Sequence, residues 1–397
     1  MSGAATSLDH ADLLSQNDRL RALRGLRQLI VGGAMSKLDP LPSERKLSAK
    51  FGVGRTVLRG ALQQLSDEGL LARQGRRGLV VMGDQAASRG WLSQAVAFLD
   101  PMFDARSVGP RDAYWANYVS LGVGQAIRDA GRHVVSLNAR GLGPADIKRL
   151  AQDQPAGVIV PEVFTGGPET LQLVQLLISH GVRVVVYGGH EELGLFDRVT
   201  SDHSAGAYQL TSHLIARHGC QRIVELWPKP ATGYWYPQRH AGYERAMNEA
   251  SLEPLPPIEA DPQPLLEAAT TAGDSRALFQ AATRNLAGYL VEAMVGPRPV
   301  DAIMVGSDRD AFALAAACRL FGRTPGKDIF IAGYDNYWER SPERSFEPTP
   351  LVATVDKQND RLGEELVKLL LDRVEGRLPA GPQCRKLSPK LVVPNVA

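Results

Sequence analysis

Residues 41–81 read LPSERKLSAKFGVGRTVLRGALQQLSDEGLLARQGRRGLVV, and their spacing decides the N-terminal fold. Ser43 is placed to cap a helix that runs to about Phe51. Gly52-Val53-Gly54 makes a short turn. Val57, Leu58, Ala61, Leu62 and Leu65 recur at helical spacing, so a second helix covers about Arg55–Glu68, closed by Gly69. Leu70–Arg73 and Leu79–Met82 read as short strands around Gln74-Gly75-Arg76-Arg77-Gly78. Upstream, Leu20, Leu23, Leu26, Leu29 and Ile30 place an amphipathic helix over about 18–32, ended by Gly32-Gly33. The order helix, helix, tight turn, helix, hairpin predicts a winged helix-turn-helix over residues 18–82.

Charge points the same way. The chain has 397 residues and a net charge of only +2, but residues 18–81 hold 13 Lys and Arg against 5 Asp and Glu. A basic segment on a mildly acidic body suits a polyanion partner for that segment alone. A helix entering the major groove presents its first turns to base edges. Here those turns carry Arg55, Thr56 and Arg59. Arg can donate to O6 and N7 of guanine together, and Thr can contact a base or a phosphate. Arg45, at the start of the preceding helix, is placed for a phosphate or base contact. Gly75, Arg76 and Arg77 form a wing tip suited to a minor groove. The expected partner is a double-stranded DNA operator.

The same run resembles the DNA-binding domain of the GntR family. The resemblance implies Arg45, Arg55, Thr56 and Arg59 as DNA-contacting positions, with Gly75, Arg76 and Arg77 in the wing. Gly54 departs from the pattern, which has Ser or Thr there, so one phosphate-bonding hydroxyl is missing.

Residues 83–94, GDQAASRGWLSQ, are small and polar and read as a linker without a second basic hinge helix. From residue 95 to 396 apolar β-type runs alternate with helical runs. Ala95–Leu99, Val134–Leu137, Gly157–Val160, Val182–Tyr187, Arg222–Leu226, Ala302–Val305 and Ile329–Ile331 are the main strands. This rhythm predicts parallel sheets with helices on both faces, and about 300 residues suit two lobes. The fold class is therefore α/β: a winged helix-turn-helix plus a two-lobed parallel α/β effector and dimerisation domain of the periplasmic-binding-protein type.

Function in such folds sits in the crevice beyond the carboxyl ends of strands. Asp308 follows DAIMVGS, Asp335 follows IFIAGY and Asp202 follows RVTS. Trp235, Tyr236 and Arg239 are expected in a loop after Ile223–Leu226, and Trp115 lies after the first strand. Carboxylates, a guanidinium and aromatic plates make a general carbohydrate site. The body also resembles the LacI/GalR sugar-sensing family, through VTSDHSAGAYQLTSHLIARHGCQRIVEL, RHAGYERAM, DAIMVGSDRDAFALAAACRLFGRTPGKDIFIAGYDN and PLVATVDKQNDRLGEELVKLLLDRVEG. That resemblance implies Arg239, Asp308 and Asp335 as effector contacts, joined by Trp115 and Trp235 from their placement. Ser307 stands where the family has Asn, and Asp356-Lys357 replaces its Arg-Gln pair. A GntR-type head on a LacI-type body resembles the architecture of arabinose repressors of the Bacillus type; the architecture carries over, the sugar does not.

The expectation is a cytoplasmic homodimeric regulator, read as a repressor, with a carbohydrate effector and no cofactor, metal or membrane. Competing classes are a sugar-binding transport protein, an activator of the same build, and an enzyme. The N-terminus, MSGAATSLDHADLL, lacks a basic start and apolar run. No nucleophile elbow, HExxH, GxxxxGK[ST] or paired CxxC occurs. Cys220, Cys318 and Cys384 lie far apart, which suits buried free thiols in a reducing compartment. His203, His213 and His218 read as helix-surface or capping residues.

Overall fold

The computed structural model describes residues 10–31, 35, 39–68, 70–75, 78–81, 94–99, 113–138, 142–161, 168–231, 233–261, 275–348 and 351–394. The linker over 83–94 lies outside them except for Gln94, and so do Arg76 and Arg77. In the head, α1 (His10–Val31), α2 (Glu44–Phe51) and α3 (Arg55–Asp67) precede the hairpin β1 (Leu71–Arg73) and β2 (Leu79–Val81). α1 begins well before residue 18. Leu23, Leu26, Leu47, Leu58, Leu62 and Leu65 converge in one buried cluster with Leu71 and Val81. Burying such side chains contributes about 1.5–3 kcal/mol each, enough to order α2 and α3, whose 8 and 13 residues are marginal for an isolated helix. Gly52 ends α2 in the left-handed conformation at φ 63°, its N–H bonded to the Ser48 carbonyl. Ser43 sits at the cap position of α2 but makes no side-chain cap bond.

The body holds two six-stranded sheets. One lobe contains β3 (Ala95–Leu99), α4 (Ala113–Asp129), β4 (His133–Leu137), α5 (Pro144–Gln152), β5 (Gly157–Val160), α6 (Pro168–Ser179), β6 (Val184–Tyr187) and β7 (Asp197–Ser201). The other contains α7 (His203–His218), β8 (Ile223–Pro228), α8 (Trp235–Glu249), β9 (Ile258–Ala260), α9 (Ser275–Val295), β10 (Ala302–Val305), α10 (Asp308–Leu320), β11 (Phe330–Tyr334) and β12 (Ala353–Asp356). The chain then returns through α11 (Asn359–Val374), β13 (Cys384–Leu387) and β14 (Lys390–Val392). The sheet orders are β13-β7-β6-β5-β3-β4 and β14-β12-β11-β10-β8-β9. All these pairs are parallel except β12–β14. Strands such as Val184–Tyr187 are buried throughout because helices cover both faces.

α11 packs on the first lobe, with Leu362, Leu366, Leu369 and Leu370 against Val96, Val119, Val123 and Val185. It crosses α4 at two glycines: a Cβ on Gly122 would strike the Asp360 carbonyl, and one on Gly363 the Val119 carbonyl. Three segments join the lobes: residues 201–203, 356–359 and 387–390. They are tied together by Asp202 N–H to the Leu387 carbonyl (2.9 Å), Gln358 Nε2 to the Ser388 carbonyl (2.7 Å) and Lys386 to Asp202 (2.8 Å). Asp202 is thus a hinge brace and the N-cap of α7, accepting from Ala205 N–H.

The head rests on the first lobe. Arg27 donates to the Ser179 carbonyl at the end of α6 (3.0 Å) and pairs with Glu68 (2.5 Å). Gln64 donates to the same carbonyl at 3.0 Å. A guanidinium at a helix C-terminus meets the negative end of its dipole. Cys220 and Cys318 are buried free thiols, whereas Cys384 is exposed because β13 is an edge strand.

Candidate functional site

The head offers one face to a partner. Arg55 and Thr56 are exposed in the first turn of α3, and Arg59 one turn on is exposed too. Their exposure follows from α3 burying its opposite face. Arg59 Nε donates to Glu44 at 2.8 Å, while Arg45 is exposed on α2. Gly75 has φ +48° at the start of the wing turn. Arg76 and Arg77 lie outside the described residues. The Gln64–Arg27 contact uses the other end of α3, so the lobe leaves the Arg55 face uncovered.

The second candidate site is the crevice between the lobes. Trp235, Tyr236 and Arg239 are on the first turns of α8, not in a loop. The helix tolerates Pro237 because a proline in a first helical turn removes an N–H that has no helical acceptor anyway. Arg239 is buried. Its Nη1 donates to the Gly306 carbonyl (2.9 Å) and its Nε to His203 Nδ1 (3.3 Å). Its guanidinium carbon lies 3.4 Å from the Tyr334 ring centroid and 4.4 Å from that of Trp235. His203 is fully buried rather than on the helix surface. Burial, then the charges of Arg239, Lys357 and Lys386, hold its imidazole well below the usual range, so it is neutral. With Nδ1 accepting, Nε2 carries the proton and faces the Tyr234 hydroxyl at 3.5 Å.

Asp308 opens α10 and is fully buried. Its carboxyl accepts from Thr354 Oγ1 (2.6 Å), Tyr337 N–H (2.9 Å) and Trp338 N–H (3.3 Å). Gly333 makes room for it, because a Cβ there would strike Oδ1. Burial pushes this carboxyl up to about 8 despite the three bonds. Ser307 bonds the Tyr337 hydroxyl. Asp335 follows β11 at φ +89° and pairs with Lys357 at 2.9 Å; both are buried. Arg239, Asp308 and Asp335 therefore gather in one lobe near the hinge. They are not stranded for want of a ligand, as convergence alone suggested: each already has protein partners. Asp308 in particular is a brace between α10, β12 and the Tyr337 loop. Trp115 lies in the first turn of α4, and its side chain is outside the described residues.

Contacts between described residues span the crevice. Tyr234 of the second lobe meets His190 of the first, ring centroids 4.8 Å apart. Arg340 Nη1 donates to Tyr118 Oη on α4 at 2.5 Å. Behind the floor, Glu225 on β8 is buried and bonds His240 Nδ1 at 2.5 Å. Burial raises the Glu225 carboxyl, and the Glu225 bond raises His240. His203, Tyr234, Tyr334, Lys357 and Arg340 were not singled out as site residues from sequence. His203 had one usable signal, its place directly after β7. Among the described residues no cluster of His, Cys, Asp and Glu suits a metal ion, and no helix is long and apolar enough to cross a membrane.

Comparison with known proteins finds matches to both parts of the chain. Residues 19–81 match the bacterial regulatory proteins of the gntR family, and residues 211–393 match the periplasmic binding protein-like domain. HTH-type transcriptional repressors PurR from Escherichia coli and Shigella boydii serotype 18 are 27% identical over 251 residues, 62% of this chain. That match spans 65% of their own length. A transcriptional regulator CelR-cellobiose complex superposes with a TM-score of 0.56 at 22% identity, covering 89% of this chain and 99% of that one. The lac repressor dimer bound to operator and an anti-inducer gives 0.55 at 18%, covering 78% and 94%. The chain therefore carries a region that matches the gntR regulatory family ahead of a two-lobed body that matches the periplasmic binding protein-like domain and shares the fold of these solved regulators.

Proposed function

We propose that this chain, with its GntR-type head on a LacI-type body, is a sequence-specific DNA-binding transcription regulator. It acts as a repressor whose operator affinity is set by a sugar or sugar derivative held between the lobes. One observation carries the proposal: a single chain presents Arg55, Thr56 and Arg59 on an uncovered helix start and stacks Arg239 between Trp235 and Tyr334 in an interlobe crevice. The first suits base edges and phosphates; the second suits a ring with an apolar face and polar rim. The matched relatives, named as repressors, support the direction of control.

The head contacts the operator through Arg45, Arg55, Thr56 and Arg59, with Gly75, Arg76 and Arg77 in the wing. The effector touches Trp115, Trp235, Arg239 and Asp335; Asp308 positions the Tyr337 loop and contributes its neutral carboxyl. Residues 18–82, 83–94 and 95–396 act as head, linker and sensing body in a cytoplasmic homodimer. A dimer suits an operator with two half-sites. Effector binding changes DNA affinity only in so far as it favours one lobe arrangement over another. The Arg340–Tyr118 and Tyr234–His190 contacts are the ones lobe opening must break. The test is selection of operator fragments from random DNA by the full chain, followed by titration with and without a panel of pentoses, hexoses and their derivatives. Sequence-independent binding at all salt concentrations would remove the regulator reading.

A further inference from the structure

The head is held on the first lobe by more than the chain that joins them. Ser179 closes α6, and its carbonyl is one of the terminal acceptors that a helix cannot satisfy itself. Two donors from two helices of the head converge on it: Arg27 Nη2 from α1 and Gln64 Nε2 from α3, each at 3.0 Å. Glu68, just past α3, links the two donors, pairing with Arg27 at 2.5 Å and accepting from Gln64 Nε2 at 3.1 Å. Arg19 Nη2 donates to Gln64 Oε1 at 3.1 Å, so the amide is fixed from both ends. Gly181 turns the chain after α6 at φ +84°, and a Cβ there would strike the Arg27 side chain. The Arg27 and Glu68 side chains are 16% and 23% exposed, against 68% and 41% for the surface pair Arg59–Glu44, so water screens this pair far less. Arg24, one turn earlier on α1, lies within electrostatic reach of Asp197 and Arg373, which pair at the start of β7 and the end of α11. The far ends of β7 and α11 run into the hinge segments 201–203 and 356–359.

Donors from two different helices restrict rotation of the head as well as its distance from the lobe. A flexible chain the length of residues 83–94 spans about 20 Å. Moving an operator half-site by one base pair shifts it by only about 3.4 Å and turns it by about 35°. A head tied by such a chain alone would follow the half-site at little cost, whereas a seated head has to leave its seat to do so. We infer that Arg27 and Gln64 make the head a rigid extension of the first lobe, so that this seat fixes the half-site spacing the chain accepts and carries lobe movement to the DNA. The inference rests on the chain being a dimeric regulator. β7 and α11 supply the route for lobe movement, since each is a regular element running between the hinge and the seat. Arg55, Thr56 and Arg59 lie toward the opposite end of α3 from Gln64, so the seat and the DNA face are engaged at the same time.

The experiment compares the full-length parent with the double variant Arg27→Ala, Gln64→Ala on the operator fragment that the parent selects from random DNA. Fluorescence anisotropy is read on that fragment, on a single half-site, and on fragments whose half-sites are moved by one to three base pairs. The expected result is that a two-base-pair shift weakens the parent by at least about tenfold and the double variant by less than about threefold. Both proteins should bind the single half-site equally. A sugar from the panel that binds the parent should bind the double variant with the same calorimetric Kd, yet move its operator affinity less. Where no panel member binds, the spacing series decides. Equal dependence on spacing in the two proteins would overturn the inference, and so would an equal operator response to the sugar. Loss of single half-site binding by the double variant would overturn it too, because the two residues would then serve the head's own fold. If the parent selects an operator but shows no spacing preference, only the inference falls and the regulator stands. If the parent selects no sequence, the regulator reading falls and takes the inference with it. Should the double variant fail to fold, Gln64→Ala, which removes one of the two donors, is read in the same way with a smaller loss of selectivity expected.

Discussion

Replacing Asp308 by asparagine asks whether the crevice floor rests on an uncharged carboxyl. Burial raises this group from an ordinary 3.8 to about 8, and it does so against bonds from Thr354, Tyr337 N–H and Trp338 N–H. A group whose pKa is raised on folding gives its full stabilising effect below the unfolded value and loses it as pH rises through the folded value. The window is therefore from about pH 4 to about pH 8. One pKa unit corresponds to about 1.4 kcal/mol, so a rise of this size has an upper limit near 6 kcal/mol. That is a large part of the roughly 5–15 kcal/mol that keeps a domain folded. Asparagine has the same shape and no charge at any pH. Its carbonyl can accept from both backbone N–H groups and its amide can donate to Thr354. Urea midpoints at pH 5, 6.5 and 8 provide the assay. The parent should weaken steadily over that range, and Asp308→Asn should hold its midpoint and exceed the parent at pH 8. Equal slopes in both proteins, or a loss of several kcal/mol in the variant at pH 8, would refute the reasoning.

Other consequences concern the two domains separately. Gly363→Ala should cost about 1–3 kcal/mol by urea unfolding, because the new methyl meets the Val119 carbonyl at the α4–α11 crossing; an unchanged midpoint would mean the helices part freely. Arg55→Ala and Arg59→Ala should each lose about 1–3 kcal/mol of specific operator affinity, read by fluorescence anisotropy, with far-UV dichroism unchanged. Glu44→Ala should leave stability within experimental error, since exposed ion pairs such as Glu44–Arg59 contribute about 0–1 kcal/mol; a fall of the melting temperature would give that pair a structural role. Arg27→Ala should release the head from α6, seen as faster amide hydrogen exchange at residues 176–181; unchanged exchange would deny the docked arrangement.

The head was legible because each signal in it is local: helical spacing of leucines, a glycine cap, a five-residue Gly- and Arg-rich gap between strands. The alternation of strands in the body was legible for the same reason, since Gly157–Val160 and Ala302–Val305 are short apolar runs between turns. What escaped depends on distance along the chain. The first turn of α8, from Trp235, was read as loop, because its aromatic residues carry no helical cap or spacing signal. The α9 helix and β9 strand follow residues rich in Pro and Ala without a clear cap, and went unassigned. The Asp356-Lys357 departure was visible, but the ion pair to Asp335 joins residues just past the ends of β11 and β12, with φ +89° at Asp335. Asp308 was correctly placed after a strand, yet its bonds come from the Tyr337 loop and from Thr354 on β12, about 30–46 residues later. Those bonds add a bracing role that its position after a strand does not reveal.

The most direct measurement is an operator titration of the parent chain and Arg239→Ala, with and without an effector found by the sugar panel. Arg239 touches the crevice and lies in a different domain from the exposed face of α3. The account predicts that both proteins bind operator with the same affinity when effector is absent. It also predicts that effector shifts the parent curve and leaves the Arg239→Ala curve in place. A normal shift in Arg239→Ala would contradict the account and place the ligand elsewhere.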